Sequence, residues 1–472
     1  MPSSTIVVLI AAAYLVACLV VGMWPGRGVS ATSEGYVAGD RSLGLVLMFF
    51  ITGATIFSAF AFLGGPGWAY SRGAAAMYIL GYGALGFAPW YFLGPRAARL
   101  GRRFGFVTQA EMVAQRFGLP AIAGVMALVS VVAFVPYLAL QMKGAGYVLS
   151  TVTHGAIPVW AGAAIVYGIV MVYVLYSGVL GVGWTNTFQG IFMLILAWCL
   201  GLYLPWKLYG GVGPMFEQIM AVQPQHLVPP GLRSDGAPWS WGEYSAAIVV
   251  SAVGFSFWPH LFMKAFSARD ERTIRRTVVL YPIFQVFLIP LFFIGFAGVL
   301  FADAPPSADQ ILPHMLMHME IPAVVVGLFC AGALAASMSS GDAMAHAAAS
   351  IAVRDGLVGA LGTQLKPTAE RTMIRVLVVV VMALSYVTAI LYTGSLVTLL
   401  LSAYGAVVQF ATAVVAALYW RWATGPGVLS GLLVGSLVTV VLVVEPAWQP
   451  IPLHAGLYGL IANLVSLVLV SR

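Results

Sequence analysis

The sequence predicts an all-α membrane protein with thirteen transmembrane helices, and three observations support this fold class. Of the 472 residues, 61% are hydrophobic and only 8% are charged, whereas charged residues make up roughly 25% of a soluble domain. Apolar runs of about 20 residues, the length that crosses a bilayer as a helix, recur along the chain. Two of these runs are interrupted by glycine and proline, which a bilayer tolerates only where the backbone lines a cavity or is buried in protein.

The apolar runs define thirteen predicted spans, so the two ends of the chain are expected on opposite sides of the membrane. No basic residue precedes the first run, and we interpret it as an uncleaved span rather than a signal peptide. The approximate limits of the spans are 5–23, 43–63, 74–93, 121–150, 157–176, 184–204, 241–266, 278–301, 322–349, 373–392, 396–419, 428–444 and 451–470.

Basic residues are concentrated on one side of this topology. With the N-terminus outside, most of the 22 Lys and Arg residues fall on the inner side, and the outer loop at 302–320 has acidic residues but no basic one. An inner excess of positive charge is the rule for helical membrane proteins. The placement of the basic residues therefore indicates an N-terminus outside and a C-terminus inside, and it accounts for the net charge of +7 without a nucleic-acid partner. We expect the protein in a bacterial-type cytoplasmic (inner) membrane.

The sequence gives no sign of ATP hydrolysis or of catalysis. It contains neither an ATP-binding P-loop nor a catalytic cluster such as paired acids or an HExxH motif. The three cysteines lie within predicted spans, where packing is their ordinary role. We therefore expect a transporter rather than an enzyme. We expect this transporter to work as a monomer, with the bilayer, an ion and a small molecule as its partners.

The two interrupted spans are five spans apart. The second span contains Gly53 and ends in "GGPG" at 64–67, and the seventh contains Gly254 and Pro259 in "SAVGFSFWPHLFMKAF". Inverted repeats of five helices, each beginning with a broken helix, place the binding site of many transporters between the two breaks. The alternative is a pair of kinked packing helices. The predicted units are 1–42 with the first span, a first repeat at 43–208, an outer loop at 209–240, a second repeat at 241–419, and two C-terminal spans at 420–472.

The ninth span, "GALAASMSSGDAMAHAAAS", places Ala336, Ser339 and Ser340 on one helix face, because they are spaced i, i+3 and i+4. The carbonyl of Ala336 and the two hydroxyls can join carbonyls of Ala54 and Phe57 from the broken second span. Such a cage of uncharged oxygens suits a sodium ion, which prefers hard oxygen ligands. The alternative is that these small residues only allow close helix packing.

Six stretches of the sequence resemble the sodium/solute symporter family, the group that contains proline, pantothenate, acetate and sodium/glucose cotransporters. They are "GYVAGDRSLG", "FSAFAFLGGPGWAYSRG", "TQAEMVAQRFG", "GWTNTFQG", "LAASMSSGDA" and "AALYWRWATGPGVLSGLLVG". The resemblance implies a five-plus-five inverted-repeat core like that of amino-acid sodium symporters. It also implies the same sodium site, built from Ala54, Phe57, Ala336, Ser339 and Ser340.

One position departs from the family pattern. Many relatives have Asp where this chain has Asn186, and in some of them that Asp is linked to a second sodium. Asp342 lies three residues after Ser339, and a carboxylate inside a span is a functional candidate by default. It either replaces the missing charge or takes a proton; the alternative is an ion pair with a basic loop residue. We expect one Na⁺ per cycle.

The substrate is not fixed by the resemblance. "WPHLFMKAF" is similar to the corresponding region of pantothenate and monocarboxylate carriers, and the spans have few of the amide and acid side chains that sugar binding needs. Lys143, the one basic residue that we place inside a span, either binds a carboxylate or extends to the outer interface. His260 binds substrate or seals the inner gate; the alternative is a structural role. The candidate substrate-binding residues are Phe60, Gln141, Lys143, Ser251, Phe255, Trp258, Pro259, His260 and Gln409.

Together these features predict a sodium-coupled symporter that imports a small organic solute of the monocarboxylate type by alternating access. The alternatives are a symporter for proline or another amino acid, a pantothenate symporter and, more remotely, a sodium-independent channel or facilitator.

Overall fold

The computed structural model describes residues 4–25, 32–319, 321–394 and 396–472. Within these ranges the chain is helical, and the only extended pairings are two isolated bridges, Leu43 with Ala268 and Leu232 with Pro238. The all-α class predicted from composition and hydropathy is confirmed.

The described residues contain 22 α-helices. In chain order they are α1 (Ser4–Met23), α2 (Ser33–Ala38), α3 (Leu45–Ile56), α4 (Gly65–Arg72), α5 (Met77–Phe87), α6 (Trp90–Phe104), α7 (Gln109–Phe117), α8 (Pro120–Val152), α9 (Val159–Tyr209), α10 (Val212–Val222), α11 (Trp241–Phe257), α12 (Pro259–Ser267), α13 (Glu271–Leu280), α14 (Pro282–Val286), α15 (Leu288–Gly298), α16 (Ile311–His318), α17 (Ala323–Ile351), α18 (Pro367–Leu391), α19 (Leu396–Val407), α20 (Phe410–Tyr419), α21 (Gly425–Val444) and α22 (Ala455–Ser471). Phe60–Gly64 and Ala352–Ala360 are π-helical.

The predicted number of spans is not confirmed. Among the described residues, eight helices are long and apolar enough to cross a bilayer, and a ninth span results if α3 and the helical stretch Phe60–Phe87, which meet at 52°, are counted together. Two predicted spans, 157–176 and 184–204, lie in α9, which bends at Gly178 (φ 59°) instead of being interrupted by a loop. The eleventh predicted span is divided between α19 and α20.

The first predicted break is present where α3 ends. Phe57 leaves the helical conformation (φ −88°, ψ 74°), and the chain continues into the π-helical segment and α4. Gly53 is needed one turn earlier, because a Cβ atom there would lie 2.1 Å from the ring of Phe284. The ring of Phe57 stacks on that same ring, with centroids 5.8 Å apart, and this packing holds the turn in place.

The second predicted break separates α11 from α12 at Trp258, whose ψ of 122° is extended. Pro259 follows, and proline disfavours the helical conformation in the residue before it. The break frees carbonyls of the last turn of α11, and side chains bond them. Trp90 Nε1 donates to the Ser256 carbonyl at 2.9 Å, and Gln109 Nε2 donates to the Phe257 carbonyl at 3.1 Å.

Helix α17 runs through the centre of the bundle and is buried along most of its length. It packs against α1, α3, α8 and α9. Small residues allow these close approaches; a Cβ atom at Gly341 would lie 2.3 Å from Tyr167 Oη, and one at Gly332 would lie 2.4 Å from Leu196. The serine pair of α17 is thereby placed beside the end of α3.

Candidate functional site

The break after α3 leaves two carbonyl groups without their usual helical donors. The N–H of Ser58, which would bond Ala54 in a continuous helix, donates instead to the carbonyl two residues before it, at 3.1 Å. The N–H of Ala59, which would bond Thr55, donates to Gln141 Oε1 at 2.9 Å. The carbonyls of Ala54 and Thr55 are therefore available to groups outside the helix.

The serine pair of α17 bonds these two carbonyls. Ser339 Oγ lies 2.9 Å from the carbonyl oxygen of Ala54 and 3.2 Å from that of Ala336. Ser340 Oγ donates to the Thr55 carbonyl at 2.6 Å. The structure thus brings together four of the five residues predicted for sodium, all through uncharged oxygens of the kind that hard cations bind.

Two details of this group differ from the sequence prediction. Phe57 is at the break, but the contacts described for it are the N–H bond to Gly53 and its ring packing. Thr55, which the sequence analysis did not select, accepts from Ser340 and donates its hydroxyl to the Ser339 carbonyl at 3.3 Å. The sequence signal that could have identified Thr55 is its position inside an apolar span, directly after the predicted ligand Ala54.

Asp342 lies on the same helix and is fully buried. Its carboxylate accepts hydrogen bonds from three side chains of α9: Tyr173 Oη at 2.9 Å, Thr185 Oγ1 at 3.1 Å, and Asn186 Nδ2 at 3.2 Å to each oxygen. Within the described ranges it forms no ion pair with a basic residue. The loop ion pair considered as the alternative is therefore not formed.

Asn186 connects Asp342 to the broken helix. Its Oδ1 accepts from Thr55 Oγ1 at 3.1 Å, while its Nδ2 bonds the carboxylate. The two candidates for a second ion or a proton, Asp342 and Asn186, are thus in direct contact. Through Asn186 and the Thr55 hydroxyl, a chain of hydrogen bonds runs from the carboxylate to the backbone carbonyl of Ser339.

Aromatic side chains form a second group, which we call the aromatic cage, between the two breaks. Trp258 lies 5.0 Å from Tyr137 and 5.5 Å from His260, measured between ring centroids. The cage is formed by four predicted residues and four from other helices: Phe60, Phe255, Trp258 and His260, with Tyr82, Phe134, Tyr137 and Tyr404. Pro259, also predicted, is buried between Trp258 and His260 and begins α12.

Buried polar atoms without a protein hydrogen-bond partner lie in the cage and one helical turn from it. Within the described part of the chain, Gln141 Nε2, Trp258 Nε1 and both ring nitrogens of His260 are buried and have no hydrogen-bond partner. Gln141 lies one helical turn after Tyr137, and its Oε1 is already bonded to Ala59. Buried polar groups are normally paired, so this set of donors is a feature that needs an explanation.

Three predicted substrate residues lie elsewhere. Ser251 is bonded to Tyr78 Oη at 2.6 Å. Lys143 donates to the Tyr392 carbonyl and lies over the rings of Tyr147 and Tyr392, beside a cavity of about 420 Å³. The amide of Gln409 is bonded to Thr439, to the Gly456 carbonyl and to Asn463, so it joins α20 to the two C-terminal helices.

A second lysine, Lys264, lies near the end of the seventh predicted span, 241–266. It is 3% exposed within α12. Lys143 is therefore not the one basic residue inside a span, because α12 belongs to a membrane-spanning stretch, Trp241–Ser267.

Comparison with known proteins identifies the family. Residues 36–435 match the profile described as the Sodium:solute symporter family. The chain belongs to the sodium:solute symporter family. The matched region contains both breaks, the serine pair and Asp342, and the resemblance inferred from the six motifs is confirmed. Members of this family are membrane transporters rather than enzymes.

Three relatives match along almost the whole chain. An uncharacterised symporter of Bacillus subtilis, YhjB, is 28% identical over 97% of this chain and 95% of its own length. The sodium/pantothenate symporter of Escherichia coli is 26% identical, covering 92% of this chain and 90% of that protein. A monocarboxylate transport permease of Rhizobium johnstonii is 23% identical, with 96% and 93% covered.

A solved structure shares the fold. It is a Na⁺-coupled sialic acid symporter in a substrate-bound, outward-open state, and it aligns with a TM-score of 0.79 over 99% of this chain and 97% of that one. The identity is 17%, so the similarity establishes a common architecture alone.

Proposed function

We propose that this chain is a sodium-coupled symporter that imports a small monocarboxylate by alternating access. The proposal combines a cation site formed by Ala54, Ala336, Ser339 and Ser340, to which Phe57 contributes its carbonyl, with a substrate site in the aromatic cage. The observation that supports the substrate class is the set of buried N–H donors of Gln141, Trp258 and His260, which have no hydrogen-bond acceptor among the described residues.

The donor set favours an anion over the other substrates considered. Gln141 Nε2 and Trp258 Nε1 can only donate, and a neutral His260 ring donates from one of its nitrogens. A carboxylate is acceptor-only when ionised, and it would satisfy these donors together. An amino acid would also bring an ammonium group, yet the residues that form the cage include no Asp or Glu, and Gln141 Oε1 is already bonded.

The cation site and the cage share structural elements, which supports coupling between them. Gln141 is held from two sides: Ala59 N–H bonds its side chain at 2.9 Å, and Ser337 Oγ donates to its carbonyl at 2.7 Å. Ala59 follows the break, and Ser337 is two residues before Ser339. A sodium ion bound between α3 and α17 would therefore also fix the amide that faces the substrate. Because binding linkage is reciprocal, substrate would tighten sodium by the same factor.

The transport cycle that we propose uses the two repeats, 43–208 and 241–419, as units that move relative to each other in a monomer. In this cycle the protein lies in the cytoplasmic membrane, with its N-terminus on the outer side and its C-terminus on the inner side, in accordance with the positive-inside rule. Asp342 and its partner Asn186 would carry the negative charge or the proton that accompanies this cycle. When one Na⁺ and one monoanion move together and Asp342 releases no proton across the membrane, the inward step transfers no net charge, so the sodium gradient drives accumulation.

Uptake by purified protein in liposomes tests this function. Labelled short monocarboxylates are supplied with an inward sodium gradient or with choline, and unlabelled pantothenate, proline and other amino acids are added as competitors. We expect uptake only with sodium, and competition by carboxylates. Flux that is equal in choline would contradict the symport mechanism, and competition by proline alone would contradict the substrate class.

A matched pair of tryptophan variants tests the cage itself. Trp258→Phe keeps a ring but removes the N–H donor, and we expect the KM for the carboxylate to rise about 10-fold or more, since hydrogen bonds to charged groups contribute roughly 1.5–3 kcal/mol. Trp160→Phe changes an exposed residue and should leave KM unchanged. Equal KM values for both variants would show that this donor does not bind substrate.

A further inference from the structure

An open groove on the outside of the helix bundle lies apart from the proposed transport site. Its volume is about 820 Å³, and it lies between α6, α11, α13 and α20. Apolar side chains form its walls, among them Phe92, Leu93, Val253, Val415 and Tyr419. Phe92 is 69% exposed, as expected of a residue that faces lipid rather than water.

Three arginines belong to the same lining: Arg96, Arg99 and Arg275. Arg99 is neutralised by Glu271, which it bonds twice, at 3.0 and 2.9 Å. Among the described residues, neither of the other two has a carboxylate within 4.0 Å. The three arginines and Glu271 together carry two uncompensated positive charges.

Both uncompensated arginines are held by neighbours. Arg96 donates to the Leu418 carbonyl at 3.2 Å, and its guanidinium lies 4.2 Å from the ring centroid of Tyr419. Arg275 lies 5.7 Å from the ring centroid of Tyr91. Aromatic rings and a carbonyl position these guanidinium groups without neutralising them, so N–H donors remain available in the lining of an apolar groove.

We infer that this groove binds an anionic phospholipid, with its phosphate between Arg96 and Arg275 and an acyl chain along the apolar walls. Basic pockets between transmembrane helices on the cytoplasmic side are known to bind anionic lipid headgroups. The lining combines basic and apolar side chains, and an anionic phospholipid offers a matching phosphate and acyl chain. A soluble phosphate would match only the arginines and would leave the apolar length of the groove unused.

The position of the groove connects the lipid to the break between α11 and α12. Ser256 and Phe257, the two residues before the break at Trp258, are part of its lining. Ser256 also accepts the bond from Trp90 Nε1. A bound lipid would therefore rest against the last turn of α11 and would stabilise one arrangement of the broken helix.

Native mass spectrometry of the purified full-length protein tests this site. Binding of phosphatidylglycerol is compared with that of phosphatidylcholine carrying the same acyl chains. The double variant Arg96→Gln with Arg275→Gln is compared with Arg103→Gln combined with Arg116→Gln, which removes the same charge from two other exposed arginines. We expect the first pair to weaken phosphatidylglycerol binding about 30-fold, from the contribution of each basic residue near an anionic surface, and the control pair to weaken it less than about 3-fold.

Lysine variants, a soluble competitor and a photoreactive lipid test the inference further. Replacing Arg96 and Arg275 by Lys retains the charge and should retain most of the binding, and glycerol 3-phosphate should not compete. If the glutamine variants fail to fold, a photoreactive phosphatidylglycerol added to the unmodified protein should label peptides around Phe92 and Tyr419. Equal loss in both double variants, equal binding of the two lipids, competition by glycerol 3-phosphate, or labelling confined to other peptides would each overturn the inference. None of these measurements depends on transport.

Discussion

Replacing Ser339 by alanine removes the oxygen that stands between two carbonyls at the proposed sodium site. Ser339 Oγ lies 2.9 Å from the Ala54 oxygen and 3.2 Å from the Ala336 oxygen, so all three can face one cation. Loss of one uncharged ligand to a charged partner costs about 2 kcal/mol. We therefore expect the sodium concentration for half-maximal uptake to rise about 30-fold, with substrate KM rising at subsaturating sodium.

The assay is sodium-activated uptake in liposomes, with a second proposed ligand and a control serine of the same helix for comparison. Ser340→Ala removes another hydroxyl of the proposed site, which bonds the Thr55 carbonyl at 2.6 Å, and it should also raise the sodium concentration for half-maximal uptake. Ser350→Ala loses a bond to the His346 carbonyl at 2.7 Å, one turn away on the same helix, and should not change sodium activation. A well-folded Ser339→Ala protein with unchanged half-activation would refute the assignment, and melting curves in sodium-free buffer establish the folding.

Three further predictions follow from the described contacts. Burial raises the pKa of Asp309, outside the spans, to about 6, against the opposing effects of its bond from Leu396 N–H and the charges of Lys143 and Arg72. Since the buried form holds its proton more tightly than an exposed Asp, this arrangement should lose about 3 kcal/mol of stability in total as pH rises from below about 4 to above about 6. Asp309→Asn should remove that slope from melting curves. Gln409→Ala should lower the free energy of unfolding by about 3 kcal/mol, because the hydrogen bonds of its amide are lost, and it should leave the KM for substrate unchanged. A changed KM would instead indicate that Gln409 binds substrate. Uptake should not respond to an imposed potassium diffusion potential, whereas a response would indicate net charge transfer.

Much of the architecture could be predicted from local sequence signals. Glycine and proline inside apolar runs act where they stand, so the breaks near Phe57 and Pro259 could be located from the sequence. The spacing of Ala336, Ser339 and Ser340 fixes a common helix face because the helical period is constant. The meeting of α3 with α17 required the analogy of an inverted repeat.

Contacts between segments that are far apart in the sequence determine the features that could not be predicted. The carbonyl that meets Ser340 depends on where the chain turns, and the turn gave Thr55 rather than a residue chosen in advance. Tyr82, Tyr137 and Tyr404 join the aromatic cage from three separate helices, and no local pattern marks them. Gln409 was selected as a polar residue in a span, but helices beyond the second repeat bind its amide. Gly178 bends a continuous helix where hydropathy indicated a loop.

The reciprocal effect of sodium and substrate on each other's binding tests the central claim most directly. Isothermal titration of purified protein gives the Kd of a monocarboxylate in sodium and in choline, and the Kd of sodium with and without that carboxylate. We predict that both affinities improve by the same factor, within the range of about 5- to 150-fold typical of coupled sites, and that the effect disappears in Ser339→Ala. Carboxylate affinity that is the same in sodium and in choline would contradict the account.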